Sequence, residues 1–452
     1  MTTFKSINPY TNKEIAVHES LSEGQLASKL NHGEQAFFSW KKTSLQHRAQ
    51  LLNKVAETLK ANTEEYASMI TAEMGKPIKE SRAEITKCAW VCDYYAEHAA
   101  GFLADEVIST DAQKSFVRHD PLGTILAIMP WNFPFWQVFR FAAPTLMAGN
   151  TALLKHASNV LGCGKLIEEV FVKAGYPSGV FQFLPIGHEA IELVLGNESV
   201  KAVSLTGSEI AGKKVARIAS GNLKRSLLEL GGSNGFIVLK DADLEKAAEI
   251  AVNARMLNAG QSCIAAKRFL VEAPVHDAFI EQLSIRISKL KGGDPTKEST
   301  DVGPLARRDL AEKLADQLRV SLDLGARLHL GGVYEDCFFE PTLISNVSPE
   351  MPCFREETFG PLACVTEVKS FEEAIELANK SAYGLGVTVC TSNENQVLSR
   401  LGDFEDGAVF INSLVKSDPR LPFGGTKQSG FGRELGRDGI LEFVNRKTVF
   451  LA

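Results

Sequence analysis

Apolar residues recur at three- and four-residue spacing from about residue 21 to residue 100, as in HRAQLLNKVAETLKANTEEYASMI, and this period predicts helices. Further along, short apolar runs alternate with helical stretches: GTILAIMP, NTALLKHA, GVFQFLPIG, VKAVSLTG and SNGFIVLK. That alternation predicts a parallel sheet covered on both faces. A second series follows Cys263, with KRFLVEA, GARLHLGG, LACVTEV, GLGVTVCTS and GAVFINS. The chain therefore reads as two α/β units in sequence, without internal repeat or low-complexity linker. Their boundary is expected near LLELGGSNG, although glycine turns inside one domain give the same signal.

Composition narrows the class of protein. A chain of 452 residues is too long for one ordinary core, and 44% hydrophobic with 23% charged residues is a globular balance. A net charge of -6 without long runs argues against nucleic acid or an anionic membrane surface as partner. The start, MTTFKSINPYTNKEI, lacks the features of a signal or transit peptide, and no apolar run approaches the roughly 20 residues that span a bilayer. The eight cysteines are scattered, without a disulfide framework or paired metal spacing, which points to a reducing cytoplasm. Cys88 and Cys92, four apart in a helical stretch, share a face and are expected to pack in the core.

Five short segments carry chemistry. Gly207-Ser208 ends a strand at the start of a helix, where unpaired N–H groups and a partial positive charge suit a pyrophosphate, although the glycine fingerprint of dinucleotide sites is absent. Lys155 follows an apolar strand end, within reach of a ribose or phosphate, or is a solvated lysine. Asn132, between two prolines in IMPWNFPFW, is a rigidly held amide donor of the kind an oxyanion hole needs, or a turn residue. Glu229 precedes a Gly-Gly pair after an apolar run, a place for a partly buried carboxylate with a raised pKa, or for a capping residue. Cys263 in GQSC is either an inert core thiol or a nucleophile without a histidine close in the chain.

Taken together, PWNFP, LTGS, LELGG, GQSC, EETFGP and PFGGTKQSGFGRE in this order resemble the aldehyde dehydrogenase superfamily, over nearly the whole chain. The resemblance implies an α/β fold of that family: a Rossmann-like NAD(P)-binding domain at 1–108 and 124–231, to which 418–435 return; a catalytic α/β domain at 232–417; and a small β oligomerisation element at 109–123 and 436–452. It implies that Cys263 attacks the aldehyde carbon, that Asn132 and the Cys263 amide hold the oxyanion, and that Glu229 activates the water that hydrolyses the resulting thioester. The oxyanion donors and a nearby positively charged nicotinamide would then favour thiolate attack. Lys155 matches the lysine on the adenosine ribose. Gly207 and Ser208 match the pyrophosphate site, Trp131 and Leu230 the nicotinamide walls, and Glu357 and Phe359 the nicotinamide-ribose pair. Ser158 stands where many NAD-preferring members carry a glutamate; a hydroxyl there tolerates a 2′-phosphate that a carboxylate would repel, so NADP is expected beside NAD.

The substrate signal is Arg140, eight residues after Asn132, which matches an arginine of succinate semialdehyde dehydrogenases and could grip a carboxylate with two prongs, or serve structure. A second arginine of many such enzymes is Leu257 here, so the chain is most similar to the compact bacterial branch, with Ser417 as helper. Phe135 and Trp136 either narrow the tunnel or pack in the core. Rival readings are other semialdehydes or neutral aldehydes, phosphorylated aldehydes, acyl transfer to coenzyme A, and a non-catalytic binding protein. Glu229 in its LELGG setting favours hydrolysis over acyl transfer, and the intact Asn132, Glu229 and Cys263 favour an enzyme. KSFVRHDPLG and VNRKTVFLA resemble the family's subunit-pairing strands and imply a homodimer or homotetramer. No second cysteine lies near Cys263 to form a local disulfide.

Overall fold

Serines open the first two long helices because a side-chain oxygen can take an amide the helix leaves unpaired. Ser22 accepts from the Gln25 amide while its own amide donates to the Gln25 side chain, at the head of Glu23–Trp40. Ser44 accepts from the His47 amide at 3.1 Å at the head of Leu45–Ala61. The computed structural model describes residues 2–452; Thr63–Met74 and Ile78–Phe102 complete this helical layer. The inner face of Ile78–Phe102 buries Ile85, Cys88, Cys92 and Tyr95, so both cysteines pack in the core.

The first sheet has six strands, in the order Gly430–Phe431, Arg225–Glu229, Val200–Thr206, Thr124–Met129, Thr151–His156, Phe181–Phe183. All are parallel except Gly430–Phe431, which returns from late in the chain and pairs Gly430 with Glu229. The chain leaves Thr124–Met129 to one side and later crosses to the other. That reversal opens a crevice at the carboxyl ends of the central strands, the place where open α/β sheets bind ligands.

The second sheet has seven strands, in the order Arg327–Leu330, Thr342–Ser345, Leu362–Val368, Ala266–Glu272, Asn234–Val238, Val387–Cys390, Val409–Ile411. Only Arg327–Leu330 runs antiparallel. Asn234–Val238, which the alternation groups with the first series, belongs to this sheet: it leaves the first at the Gly231-Gly232 turn and pairs with Ala266–Glu272. Thr342–Ser345 is a strand that the pattern does not single out.

A third, antiparallel sheet places Lys114–Pro121 between Glu106–Val107 and Val444–Leu451. It begins at Glu106, ahead of the expected boundary. Gly436–Leu441, expected with this element, packs instead on Ile78–Phe102 and Trp136–Met147. Among the described residues no helix is long and apolar enough to cross a membrane, no acidic, histidine or cysteine cluster could hold a metal ion, and no cysteine is in a disulfide.

Candidate active site

Thr206, Gly207 and Ser208 lie in the crevice, where Val200–Thr206 hands over to the helix Glu209–Gly221. Ser208 caps that helix, accepting from the Ala211 amide at 3.3 Å, and the Gly207 amide donates to the Glu229 carbonyl at 3.0 Å, locking two strand ends together. A Cβ on Gly207 would meet only Leu205 at 3.6 Å, so the glycine leaves the helix terminus open to a ligand's phosphates. Trp131, Asn132, Leu230, Glu357 and Phe359 share with them a cleft of about 250 Å³. Phe359 stands edge-on to Trp131 at 5.7 Å. Lys155 and Ser158 lie beyond this lining, at the end of Thr151–His156 and in the exposed turn after it. Burial lowers the Lys155 pKa, while Glu189 opposes the change. A helix terminus for pyrophosphate, a carboxylate for ribose hydroxyls, aromatic and apolar walls for a ring, and a lysine at the far strand form a donor set that fits a nicotinamide dinucleotide.

The segment before the nucleophile is held in an uncommon conformation. Asn258, Ala259 and Gly260 are left-handed in succession, with φ of 55°, 51° and 72°. Glu80 accepts from the Asn258 amide at 2.8 Å, and the Asn258 side chain donates to the Asn132 carbonyl at 2.7 Å. Gln261 is fixed at both ends of its amide, on the Ala306 N–H at 2.8 Å and the Asn258 carbonyl at 3.1 Å. Gly260 admits no side chain, since a Cβ would lie 2.3 Å from the Gly360 carbonyl oxygen. One Asn132 Nδ2 hydrogen goes to the Gln261 carbonyl at 3.0 Å, and the other is left to a ligand. His156 lies against the segment that carries Asn132, between the carbonyls of Met129 and Pro134. Its Nε2 donates to the Pro134 carbonyl at 2.9 Å and its Nδ1 accepts from Ala157 N at 3.0 Å; burial pushes its pKa down to about 4.

Cys263 is half-buried at the turn that follows. Burial pushes its thiol up to about 11, with Lys267 and then Arg140 pulling the other way. Lys267 is fully buried and donates to the carbonyls of Ser262 and Cys263, both at 2.9 Å, and to Glu357 at 3.2 Å. The positive charge sought beside the cysteine thus comes from four residues downstream. Glu229, at the end of Arg225–Glu229, is 2% exposed, and neither of its carboxyl oxygens has a partner among the described residues. Burial first, then the neighbouring Glu434, raises its pKa well above the carboxylate range, against Arg140 and Arg433. Its Oε1 faces Gly424, and it lines neither the cleft nor the cavity described next.

On the far side of Cys263 a second cavity, of about 200 Å³, is lined by Trp136, Arg140, Leu257, Ser417, Phe423 and Lys87, among others. Cys263 is a wall of both cavities. Trp136 Nε1 and Lys87 Nζ donate to Ser417 Oγ at 3.0 and 2.9 Å, and the ammonium sits 4.1 Å from the Trp136 ring centroid. Phe135 turns away into the core, against Tyr66 and Phe139. Arg140 reaches this cavity with little freedom. Its Nε is ion-paired with Glu434, its Nη2 donates to Thr206 at 3.4 Å, and its face lies 4.7 Å from Phe423. Both Nη1 hydrogens and one on Nη2 have no partner among the described residues. Lys87, Lys267 and Asn258 escape a reading of motifs, and Glu434 closes the PFGGTKQSGFGRE motif without a role read from it: Lys87 is one of many helical lysines, Lys267 is hidden in a strand, and Asn258 and Glu434 gain meaning from contacts distant in sequence.

Residues 1–449 match the model of the aldehyde dehydrogenase family. The chain is 49% identical to a probable NADP(+) succinate-semialdehyde dehydrogenase of Synechocystis, over 99% of each chain. It is 45% identical to the Escherichia coli NAD(P)+ succinate semialdehyde dehydrogenase Sad, over 98% of this chain and 97% of the other. The crystal structure of succinic semialdehyde dehydrogenase from Streptococcus pyogenes in complex with NADP+ superposes with a TM-score of 0.97 at 37% identity, covering 99% of each.

Proposed function

The chain belongs to the aldehyde dehydrogenase family, and from that premise we propose that it oxidises a short carboxylate-bearing aldehyde, succinate semialdehyde, to succinate with NADP or NAD. The observation that carries the reading is Cys263 standing as the common wall of a cleft fitted to a dinucleotide and a cavity lined by cations. In the proposed sequence the Cys263 thiol loses its proton to solvent and the thiolate sulfur bonds to the aldehyde carbon. The carbonyl oxygen becomes an oxyanion held by the free Asn132 Nδ2 hydrogen and the Cys263 amide. A nicotinamide held between Trp131, Leu230 and Phe359 would supply the acceptor for the hydride of that carbon. The thioester left on Cys263 is hydrolysed by water that gives its proton to Glu229, and the acid leaves with the thiol restored. Hydrolysis, rather than transfer to coenzyme A, is supported by the carboxylate of Glu229.

Trp131, Leu230 and Phe359 would flank the nicotinamide, Glu357 its ribose, Gly207 and Ser208 the pyrophosphate, and Lys155 with Ser158 the adenosine ribose. The absence of a carboxylate at Ser158 supports NADP as cofactor beside NAD. Arg140, Trp136 and Ser417 would shape the substrate end. The unpaired outer edge of Val444–Leu451, with Phe450 exposed, supports pairing of two subunits through this strand, and eight free thiols support a reducing cytoplasm.

A steady-state panel tests the reading. Succinate semialdehyde is expected to exceed butanal in kcat/KM by at least roughly tenfold, the worth of one charge-assisted hydrogen bond. Equal values would sink the carboxylate substrate and leave the enzyme class. Turnover with NAD and none with NADP would remove NADP as cofactor and leave the rest of the reading.

A further inference from the structure

We propose that Lys87 Nζ, beside the Ser417 hydroxyl, is a direct ligand of the substrate's carboxylate in the cavity that Cys263 walls; the inference rests on the reading of the substrate given above. Ser417 is the first observation. Both groups that touch its Oγ are donors only, the Lys87 ammonium at 2.9 Å and the Trp136 indole N–H at 3.0 Å. They occupy the oxygen's lone pairs, so the hydroxyl hydrogen is left to donate elsewhere, and no acceptor takes it among the described residues. A buried serine with a spare hydrogen beside an ammonium is an anion site by its chemistry.

Lys87 is the second. No carboxylate lies within 4 Å of its Nζ among the described residues, and the nearby acids have other partners. Glu84 accepts from the amides of Phe135 and Trp136, each at 2.9 Å, and pairs with Lys76. Asp418 is held by Arg420 at 2.8 and 2.7 Å. A half-buried ammonium without a counterion is costly unless a ligand provides one. Burial, followed by the charge of Arg140, pushes its pKa down to about 8, and a bound carboxylate would reverse that push. Arg140 spends Nε on Glu434 and one Nη2 hydrogen on Thr206 and is stacked on Phe423, whereas Lys87 meets no carboxylate and spends one of its three hydrogens, on Ser417.

The test compares succinate semialdehyde with butanal in the wild type, Lys87→Met, Lys87→Arg and Ser417→Ala. Lys87→Met is expected to raise KM for succinate semialdehyde roughly ten- to a hundredfold, with kcat within about twofold and a far smaller change in KM for butanal. Lys87→Arg restores most of the loss, and Ser417→Ala raises KM less than Lys87→Met. A wild type that prefers the carboxylate, combined with a Lys87→Met that keeps the preference, overturns the proposal alone. A wild type without preference overturns both the proposal and the reading beneath it.

Should Lys87→Met lose turnover of both aldehydes, the wild-type pH profile decides. The ratio of the two kcat/KM values falls as pH rises through about 8, because Lys87 loses its charge, and a flat ratio overturns the proposal. Of the other groups facing this cavity Glu80 titrates nearest that window, so the fall is read above pH 7.5, where Glu80 is mostly charged. Glu80 is pushed up to about 7, burial holds the Cys88 thiol well above its usual range and pushes the Cys263 thiol up to about 11, and Arg140 is ion-paired with Glu434. Glu84 and Asp418 are carboxylates tied to cations, and Lys416 is exposed at the cavity.

Discussion

Arg140→Met, alone and with Glu434→Gln, separates a structural arginine from a substrate ligand. Arg140 and Glu434 are 2% and 3% exposed, and they form an ion pair inside the protein. Removing one partner of such a pair costs about 3–5 kcal/mol, because the other charge stays buried; removing both together is close to neutral. Here the abandoned Glu434 would also face Glu229, so the single variant is expected at the upper end, a fall in Tm on the order of 5–10 °C. The double variant should recover most of it, giving a coupling of about 2–4 kcal/mol.

The sign with pH follows from the carboxyl. Burial already raises the pKa of Glu434, and losing Arg140 raises it further. A raised folded-state pKa means stability lost as pH climbs from the unfolded value through the folded one, so the gap between Arg140→Met and wild type widens with pH. Activity should follow. Arg140 is the first of the charges that offset the rise at Glu229, so Arg140→Met moves the acid limb of kcat to higher pH, and adding Glu434→Gln brings it back. Scanning calorimetry at pH 6 and 8 and kcat profiles on succinate semialdehyde and butanal read both effects. An Arg140→Met that costs under about 1 kcal/mol, or single effects that simply add, would refute the ion-pair argument. So would damage confined to KM for succinate semialdehyde.

Two further substitutions probe the nucleophile and the base. Gly260→Ala puts a Cβ 2.3 Å from the Gly360 carbonyl oxygen in a left-handed residue, so a loss above about 3 kcal/mol and of nearly all turnover is expected; calorimetry showing less than about 1 kcal/mol would contradict the rigidity of this segment. Glu229→Gln should give one NAD(P)H per site in a stopped-flow burst and then stall at the thioester; steady turnover at the wild-type rate would exclude Glu229 as base. The same variant should gain Tm over wild type increasingly as pH rises, since it removes a buried carboxyl whose charged form has no partner.

Local signals in the chain carry the architecture well. The apolar runs after residue 120 correspond to strands of two sheets, because a strand buried on both faces must be apolar throughout, and that leaves a visible run. Asn234–Val238 has the same kind of run, yet nothing in its residues says which sheet it joins; pairing with Ala266–Glu272 decides it. The site divides in the same way. Asn132, Glu229 and Cys263 sit in unusual loop settings that stand out from their neighbours. The Arg140 partner, Glu434, lies far along the chain in a loop that returns to the first sheet, so no spacing connects them. Lys87 looks like any solvated lysine of a helix until the fold sets Trp136 and Ser417 against it.

His156 has a consequence for how rate measurements on this protein are read. An imidazole that takes no second proton until about pH 4 keeps its grip on Pro134 and Ala157 unchanged across the interval in which Glu80 and Lys87 change charge. This pin under the Trp131–Asn132 turn is thus silent in any titration carried out above that value. Curvature in a rate profile between pH 6 and 9 belongs to other groups, Glu80 beneath Asn258 and Lys87 among them.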